Sequence, residues 1–389
     1  MTEINIGLEG VLVGETAISH VDGERGQLSY RGIDIALLAQ RPLIQVAWLL
    51  LFGSEPSPQQ EQQLAHYLLA HRHLTENECQ TLGALPITLH PMLMLQAMVP
   101  MLELQCQADL DIPVGGKDAL QGLIIAAKLP GLVSAWLNRR QGDDWPRRSN
   151  AIDPVRAFLK SLHGSEPGDL QVQALNSAQV LQMEHSYNAG TFAGRVTLSS
   201  QAPIQSSIAS SIGTLFGRLH GGADQAALEF AAEVGNPDHA AAAVADALQR
   251  GERIMGMGHR EYRTVDPRAT LLKPMARQVC AEQAQSARLL ATLEAIEAAC
   301  VAQLGQGASA KGRPAGAIRA NVEFYKGAVF HALGIPGDYF TAVFAMARVF
   351  GYIAHAIEFR PQARLIRPRA RYLGNPPGAK QPPASGRAA

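Results

Sequence analysis

Two histidines stand beside glycines at the edges of predicted helices, where a side chain can reach a bound molecule. His220 lies in GRLHGGAD, directly before the helical run AALEFAAEV. The positive end of a helix dipole disfavours an imidazolium and favours a neutral ring, which can donate a hydrogen bond to a developing enolate oxygen. A histidine that only caps the Gly-Gly turn would give the same pattern, so this segment leaves both interpretations open.

The second histidine, His259, lies in the segment IMGMGHREYRTVDPR. Asp266 and Pro267 predict a helix start, with Asp as the N-cap and Pro at the first helical position. Three cations share the segment with the histidine: Arg260, Arg263 and Arg268. Such a cluster pushes a histidine toward its neutral form unless an anion joins it. We interpret the segment as an anion-binding corner with a hydrogen-bond donor; a solvated basic loop is the alternative.

Two charged residues are predicted inside helices. Asn321 is the predicted N-cap of NVEFYKGAVFHAL, which puts Glu323 in the first turn, where the helix dipole keeps a carboxylate ionised. That is also an ordinary structural position for glutamate. Arg348 falls within residues 338–359, which are apolar on nearly every side. A buried guanidinium needs an anion, and we predict a substrate carboxylate there, with a structural Asp or Glu as the alternative.

The elements that must position these residues are predicted to be almost all helices. Segments rich in Leu, Ala, Met and Gln, with apolar residues three and four apart, predict helices at 43–52, 59–71, 92–106, 118–138, 170–185 and 204–216, and a second helical group from 224 to 304. Short β-prone runs predict a small hairpin near the N-terminus, with strands at 11–13, 17–19 and 27–30. Residues 305–320 are predicted to form a mobile loop, and residues 375–389 a disordered tail.

Composition excludes several classes of function. A length of 389 residues favours two domains. The 34 Lys plus Arg balance the 34 Asp plus Glu, so the whole molecule has no electrostatic field that would attract nucleic acid or an anionic membrane. The apolar fraction is 47%, but no uninterrupted apolar run approaches a bilayer span, and MTEINIGLEG is unlike a signal peptide. We therefore predict a cytoplasmic protein. The 4 cysteines lie far apart without a CxxC pair, so neither a zinc site nor a disulfide framework is expected.

Six segments resemble, in order, the landmarks of citrate synthases and 2-methylcitrate synthases. They are GLEGVLVGETAISHVDGERGQLSYRGIDI, QVAWLLLFGSEPS, LHGGADQA, MGMGHREYRTVDPRA, NVEFYKGAVFHALGIP, and FAMARVFGYIAHAIE followed by RLIRPRARYLG. The resemblance extends from about residue 7 to residue 374. One such segment alone is weak evidence for the family, but the order and spacing of all six together are specific for it. The short N-terminus resembles the compact dimeric members of the family.

This resemblance implies an all-α fold with the active site in a cleft between two helical domains. The large domain would comprise residues 1–221 and 334–374, and the small domain residues 222–333. The implied reaction joins an acyl-CoA, acetyl-CoA or propionyl-CoA, to oxaloacetate or a related 2-oxo acid, and then hydrolyses the thioester. No metal and no redox cofactor are expected, because coenzyme A arrives as part of a substrate. The implied partners are these small molecules and a second copy of the chain, with no nucleic acid and no membrane.

The resemblance also implies a role for each candidate site residue. His220 resembles the group that stabilises the enol or enolate of the acyl-CoA, and His259 the group that polarises and protonates the carbonyl of the oxo acid. Glu323 stands at the position of the catalytic carboxylate. The implied ligands of the oxo acid are His185, Arg268, Arg348 and, from the other subunit, Arg367.

The chain departs from the family pattern close to the chemistry. Glu323 replaces an Asp, Lys326 replaces a small Ser, and GRLHGGAD replaces GPLHGGAN, which introduces Arg218 and Asp224. Glu184 stands before His185 where the family has Asp. Three hypotheses follow: a working synthase with Glu as the base, a paralogue for a different acyl-CoA and 2-oxo acid, or a binding or regulatory protein that keeps the fold. We favour an enzyme, because both histidines and all three arginines remain.

Overall fold

The computed structural model of the chain describes residues 4–8, 10–106, 108–217, 220–259, 261–310 and 319–374, with no side-chain description for 305–310. Helices make up 61% of the chain and strands 3%, which confirms the predicted all-α class. The helices in chain order are α1 Ile35–Leu38, α2 Leu43–Phe52, α3 Pro58–His71, α4 Glu76–Ala84, α5 Pro91–Met98, α6 Gly116–Gln141, α7 Pro154–His163, α8 Asp169–Val180, α9 Ala189–Ser199, α10 Ile204–Leu215, α11 Ala223–Val234, α12 Ala240–Gln249, α13 Pro267–Cys280, α14 Ala284–Ala310, α15 Val322–Ala332 and α16 Phe340–Phe359.

The described strands form one small antiparallel sheet near the N-terminus, β1 Ser19–Asp22, β2 Gln27–Tyr30 and β3 Ile33–Asp34. Between β2 and β3 the chain turns through Arg31 and Gly32, which both have positive φ, at 49° and 82°. Such a turn matches the twist of a hairpin and favours glycine. The strand predicted at 27–30 is confirmed. The strand predicted at 11–13 is wrong, since that stretch is exposed and unpaired, and the one predicted at 17–19 begins only at its last residue.

Three predicted boundaries are corrected by local chemistry. The helix predicted over 92–106 ends at Met98, where Pro100 tightens the chain into a 3-10 turn. The helix predicted over 170–185 ends at Val180, ahead of a turn in which Ser186 has φ 51°. The loop predicted from residue 305 begins later, because α14 continues to residue 310; adding turns to an existing helix costs less than nucleating one. The rest of that loop, 311–318, and the tail 375–389 lie outside the described residues.

Helix α16 forms the centre of the larger helical layer and is buried along almost its whole length. It packs against α6, α2, α9 and α10. Gly122 of α6 permits a close crossing, because a Cβ there would lie 2.8 Å from a side-chain carbon of Ile353. Among the described residues, two segments are long and apolar enough to cross a membrane, Gly116–Gln141 and Gly337–Gln362, but 78% and 94% of their apolar windows are buried inside the protein. They are therefore core helices of the fold.

A second group of helices packs around α15. Its neighbours α11, α13 and α14 contact it directly, and α12 lies on α14. Contacts of α13 and α15 with α8 join this group to the rest of the chain. The division into domains at 222 and 333 stays a prediction.

Candidate functional site

Five predicted site residues lie together where the chain after α8 meets the starts of α11 and α13 and the middle of α16. The rings of His185 and His259 have centroids 5.4 Å apart. Nε2 of His259 lies 3.3 Å from Nη2 of Arg268. Arg348 and His220 also lie near enough to His185 to interact with it electrostatically. Residues far apart in the sequence are thus gathered into one cluster.

The hairpin and α16 hold the segment that carries His185. The hydroxyl of Tyr30 accepts a hydrogen bond from the backbone N–H of Glu184 at 3.2 Å, and the hydroxyl of Ser19 donates to its carboxylate at 3.1 Å. On the other side Gly351 allows close contact, because a Cβ there would lie 2.4 Å from the backbone oxygen of Met183. His185 is therefore fixed from two sides.

His259 presents a defined tautomer. Its Nδ1 accepts hydrogen bonds from the backbone N–H groups of Glu261 and Tyr262, at 3.0 and 3.2 Å. A neutral ring then carries its proton on Nε2. The neighbouring Nη2 of Arg268 is also a donor, so the Nε2–H group needs an acceptor from a bound molecule. Burial, followed by the positive charge of Arg268, lowers the pKa of His259 to about 4.

The predicted cation cluster at this corner is corrected in one respect. Arg268 is buried and its guanidinium is paired with both carboxylate oxygens of Asp266, at 3.0 and 2.8 Å. Asp266 is also the N-cap of α13, as predicted, and it accepts a hydrogen bond from the backbone of Val322 at 3.1 Å. Arg263 is exposed, and Arg260 lies outside the described residues. The corner is a buried ion pair that joins α13 to α15, and the solvated basic loop is excluded.

Two polar side chains of the cluster were missed by the sequence analysis. The hydroxyl of Tyr262 lies 3.1 Å from Nε2 of His185, and the only signal for it was its place in GHREYR. Oδ1 of Asn188 lies 3.3 Å from Nε2 of His220, which also lies 3.3 Å from the backbone N–H of Gly190. Nε2 of His220 cannot donate to the first and accept from the second at once, so these contacts are alternatives that select the tautomer.

Both His185 and His220 are neutral near physiological pH. The pKa of His185 is well below its usual value, because of burial and then the charge of Arg268. Burial, followed by the charge of Arg348, lowers the pKa of His220 to about 4. His220 lies two residues before Gly222, the N-cap of α11, as predicted. Burial and Arg348 give the neutral ring that the helix dipole was expected to give.

Arg348 is the cation of the cluster whose charge is least balanced. It is 2% exposed, and Nε donates to the backbone oxygen of Gln182 at 2.7 Å. Its guanidinium carbon lies 4.7 Å from the ring centroid of Phe344. In the described part of the chain no carboxylate forms a salt bridge with it. The charge of Glu184 acts on Arg348 from beyond salt-bridge distance, so a directly paired structural Asp or Glu is not found there, and an incoming anion fits this position.

Glu323 lies in the first turn of α15 as predicted, with the side chain of Asn321 accepting a hydrogen bond from its backbone N–H at 3.0 Å. Its side chain is 12% exposed, so an oxygen of the carboxylate can be reached. Lys326, one turn later, donates a hydrogen bond to Oε2 of Glu323 and lies 3.0 Å from Oδ2 of Asp224. Both Lys326 and Asp224 are fully buried. Arg218 lies outside the described residues.

The comparisons with known proteins agree with this arrangement. The family described as "Citrate synthase, C-terminal domain" matches residues 7–369. Citrate synthase of Synechocystis is 35% identical over 95% of this chain and 90% of its own length, and 2-methylcitrate synthase of Shewanella oneidensis is 30% identical over 95% of both chains. The chain belongs to the citrate synthase family.

Solved structures of the family have the same fold. Citrate synthase of Thermoplasma acidophilum, in a ternary complex with carboxymethyl coenzyme A and oxaloacetate, has a TM-score of 0.86 with 25% identity, covering 99% of this chain and 100% of that one. Citrate synthase of Pyrobaculum aerophilum has a TM-score of 0.85 with 31% identity, covering 95% and 92%. This chain is therefore an enzyme of the citrate synthase and 2-methylcitrate synthase type.

One predicted site residue of this citrate synthase family member lies away from the cluster. Arg367 is exposed, in the extended segment after α16. The backbone N–H of its neighbour Ile366 donates to the hydroxyl of Ser199, at the end of α9, at 3.0 Å. The cluster within one chain does not include Arg367, so its contribution across a subunit interface stays a prediction.

Proposed function

We propose that this enzyme condenses an acyl-CoA, acetyl-CoA or propionyl-CoA, with the carbonyl carbon of oxaloacetate or a related 2-oxo acid, and then hydrolyses the thioester. The observation that carries the proposal is the tautomer of His259, whose Nε2–H has no acceptor among the described residues and lies beside the buried guanidinium of Arg268. Such a group donates a hydrogen bond to the carbonyl oxygen of a small anionic substrate.

The oxo acid is proposed to bind between His185, Arg268 and Arg348. Arg348 offers the least balanced charge, and the planar fork of a guanidinium meets a carboxylate with two hydrogen bonds. Arg268 keeps its position through Asp266, so its remaining N–H groups are directed by a rigid partner. A 2-oxo dicarboxylate matches this arrangement better than a neutral carbonyl compound.

The acyl-CoA is proposed to lose a proton from its α-carbon to Glu323. The C–H electron pair becomes the double bond of an enol or enolate, whose oxygen accepts a hydrogen bond from neutral His220. The enolate carbon then forms a bond with the carbonyl carbon of the oxo acid. The alkoxide oxygen takes a proton from His259, and water cleaves the thioester to give a carboxylate and the thiol of coenzyme A. No metal or redox cofactor takes part in this scheme.

Thiol release tests the proposal directly. Acetyl-CoA, propionyl-CoA and longer acyl-CoAs are each combined with oxaloacetate, glyoxylate, pyruvate and 2-oxoglutarate. We expect release of thiol that depends on both substrates, with oxaloacetate among the best acceptors. Release only with another acyl-CoA or acceptor would favour a paralogue with different substrates. The buried Lys326 beside Glu323 supports that second candidate. No release from any pair would overturn the enzymatic proposal.

We also propose a cytoplasmic homodimer in which each site receives Arg367 from the partner. The support is the exposed apolar surface on the two terminal segments, where Leu12 and Leu373 are 94% and 89% exposed. Arg367→Ala and His220→Ala subunits should each be inactive alone. After subunit exchange they should recover about a quarter of wild-type activity, because half of the randomly paired dimers have one complete site. Absence of recovery in exchanged dimers would contradict a shared site.

A further inference from the structure

The first turn of α15 and the first turn of α11 place two carboxylates around one buried ammonium. Lys326 Nζ donates to Oε2 of Glu323 and lies 3.0 Å from Oδ2 of Asp224. None of the described residues donates a hydrogen bond to the other oxygen of Glu323, Oε1. The lysine therefore fixes one oxygen of the carboxylate and leaves the second with its lone pairs free.

The groups around this cluster include an aromatic ring, a neutral histidine and, beyond that ring, the guanidinium of Arg348. Lys326 Nζ lies 4.1 Å from the ring centroid of Phe344, the ring that also contacts Arg348 of α16. Neutral His220, in the loop before α11, is another titratable group on which the charge of Lys326 acts. Among the described residues, Lys326 is the one cation that forms a salt bridge with Glu323 or Asp224. With all three groups ionised, the buried cluster has an excess negative charge.

This excess charge favours the proton transfer that the proposed function requires. An ammonium bound to a single carboxylate makes that carboxylate a weaker base. Asp224 shares the ammonium, so Glu323 remains a better proton acceptor than it would be in an isolated pair. When Oε1 takes the α-proton, the buried cluster becomes neutral and the negative charge moves to the enolate oxygen. Burial raises the pKa of Asp224 to about 6, which agrees with the cost of a second buried anion.

We infer that Lys326 is a positioning residue for Glu323 and that Asp224 sets the basicity of Glu323 by sharing the lysine. The inference rests on the proposed function, since it assigns Glu323 as the base. The three residues then act as one unit: Lys326 orients the carboxylate, Asp224 balances the charge of the lysine, and Glu323 exchanges the proton.

Substitutions of matched size test this unit on the best substrate pair found by thiol release. Lys326→Met removes the charge and keeps the length of the side chain. We expect kcat at pH 7 to fall about a hundredfold, the KM for the oxo acid to change little, and the acid limb of the kcat profile to move to higher pH, because two buried carboxylates then face each other without a cation. Unchanged kcat and an unchanged pH profile would overturn the inference.

The double variant separates this role from mere packing. In Lys326→Met/Asp224→Asn the repulsion between the carboxylates is gone, so we expect kcat at pH 7 to be higher than in Lys326→Met alone. Two purely structural defects would instead lower kcat by the product of their separate effects, and that result would count against the unit.

If Lys326→Met does not fold, the single variant Asp224→Asn provides the test. The acid limb of its kcat profile should move to lower pH and its maximal kcat should be reduced. An acid limb at the wild-type pH would overturn the inference. An inactive wild type would be a failure of the proposed function, whereas an active wild type with insensitive variants would be a failure of this unit.

Discussion

Two lysines are buried in the part of the chain that the structure describes, and they are surrounded in opposite ways. Lys128 of α6 lies 2.5 Å from Oε1 of Glu78 and donates to the backbone oxygen of Glu103 at 3.1 Å. The other oxygen of Glu78, Oε2, accepts from the backbone of Thr75 and closes the start of α4, while Oε1 also accepts from the backbone N–H of Glu103. Lys326 meets two carboxylates, and one oxygen of Glu323 stays open.

The difference separates a structural ion pair from a reactive one. At Lys128 one positive charge meets one negative charge, and every strong hydrogen-bonding group around it has a partner, so the pair fixes α4 against α6. At Lys326 the charges do not balance, and the unbalanced carboxylate is the group nearest to solvent, with 12% of its side chain exposed. Burial of an uncompensated charge is costly, and such a cost is typically found where a proton has to move.

The largest expected effect comes from the open carboxylate. Glu323→Gln keeps the shape of the side chain but cannot accept a proton, so we expect kcat to fall by about 10²–10⁴ with the fold intact. Glu323→Asp retracts the carboxylate from Lys326 and should also impair turnover, if the pocket is built for the longer side chain. Steady-state rates of the two variants, beside circular dichroism of each, provide the measurement. A fully active Glu323→Gln enzyme would exclude Glu323 as the base.

The next effect appears in stability alone. Lys128→Met leaves Glu78 buried without its cation, which should lower the free energy of unfolding by about 3–5 kcal/mol. Because the hydrogen bonds of Lys128 among the described residues go to Glu78 and Glu103 and to no residue of the histidine cluster, kcat per folded enzyme and its pH profile should stay at wild-type values, in contrast to Lys326→Met. Denaturant unfolding and active-site titration together check this. A loss of kcat in Lys128→Met comparable to that in Lys326→Met would remove the distinction between the two lysines.

The smallest expected effect is a change in the pH dependence of stability. The pKa of Asp224 is raised from 3.8 to about 6 by burial, so its contribution to stability is present when the carboxyl is protonated and is lost as the pH rises through about 6. Asp224→Asn should remove this component, about 3 kcal/mol, from the pH dependence of the unfolding free energy. Equal slopes for wild type and variant between pH 4 and about 6.5 would show that Asp224 titrates normally.

Part of the site was predictable because its signals are local. The N-caps Asp266 and Asn321 were read from neighbouring residues, and each one fixed a site residue in the first turn of a helix. The position of His220 before α11 followed in the same way from the glycines around it. The ends of the helices that stop at Met98 and Val180 were predicted less accurately. A proline or a single left-handed residue ends each helix although the apolar pattern of the sequence continues.

Long-range contacts gave the remaining features. Nothing near Tyr262 in the sequence indicates that its hydroxyl meets His185, seventy-seven positions away. The pairing of Arg268 with Asp266 was also missed, since the sequence indicated Asp266 only as a helix N-cap and Arg268 only as one of three cations. The role of Lys326 depends on Asp224, which belongs to a different helix.

The sequence by itself determined the helical class, the order of the elements, the family landmarks and the residue types that the chemistry requires. Periodicity and capping are encoded within a few residues, so they survive without knowledge of the fold. The tertiary structure decided which side chains are neutral, which cation is left for a substrate and which carboxylates share a lysine. Those properties depend on burial and on charges brought together from distant segments, because desolvation and Coulomb interactions act through space and not along the chain.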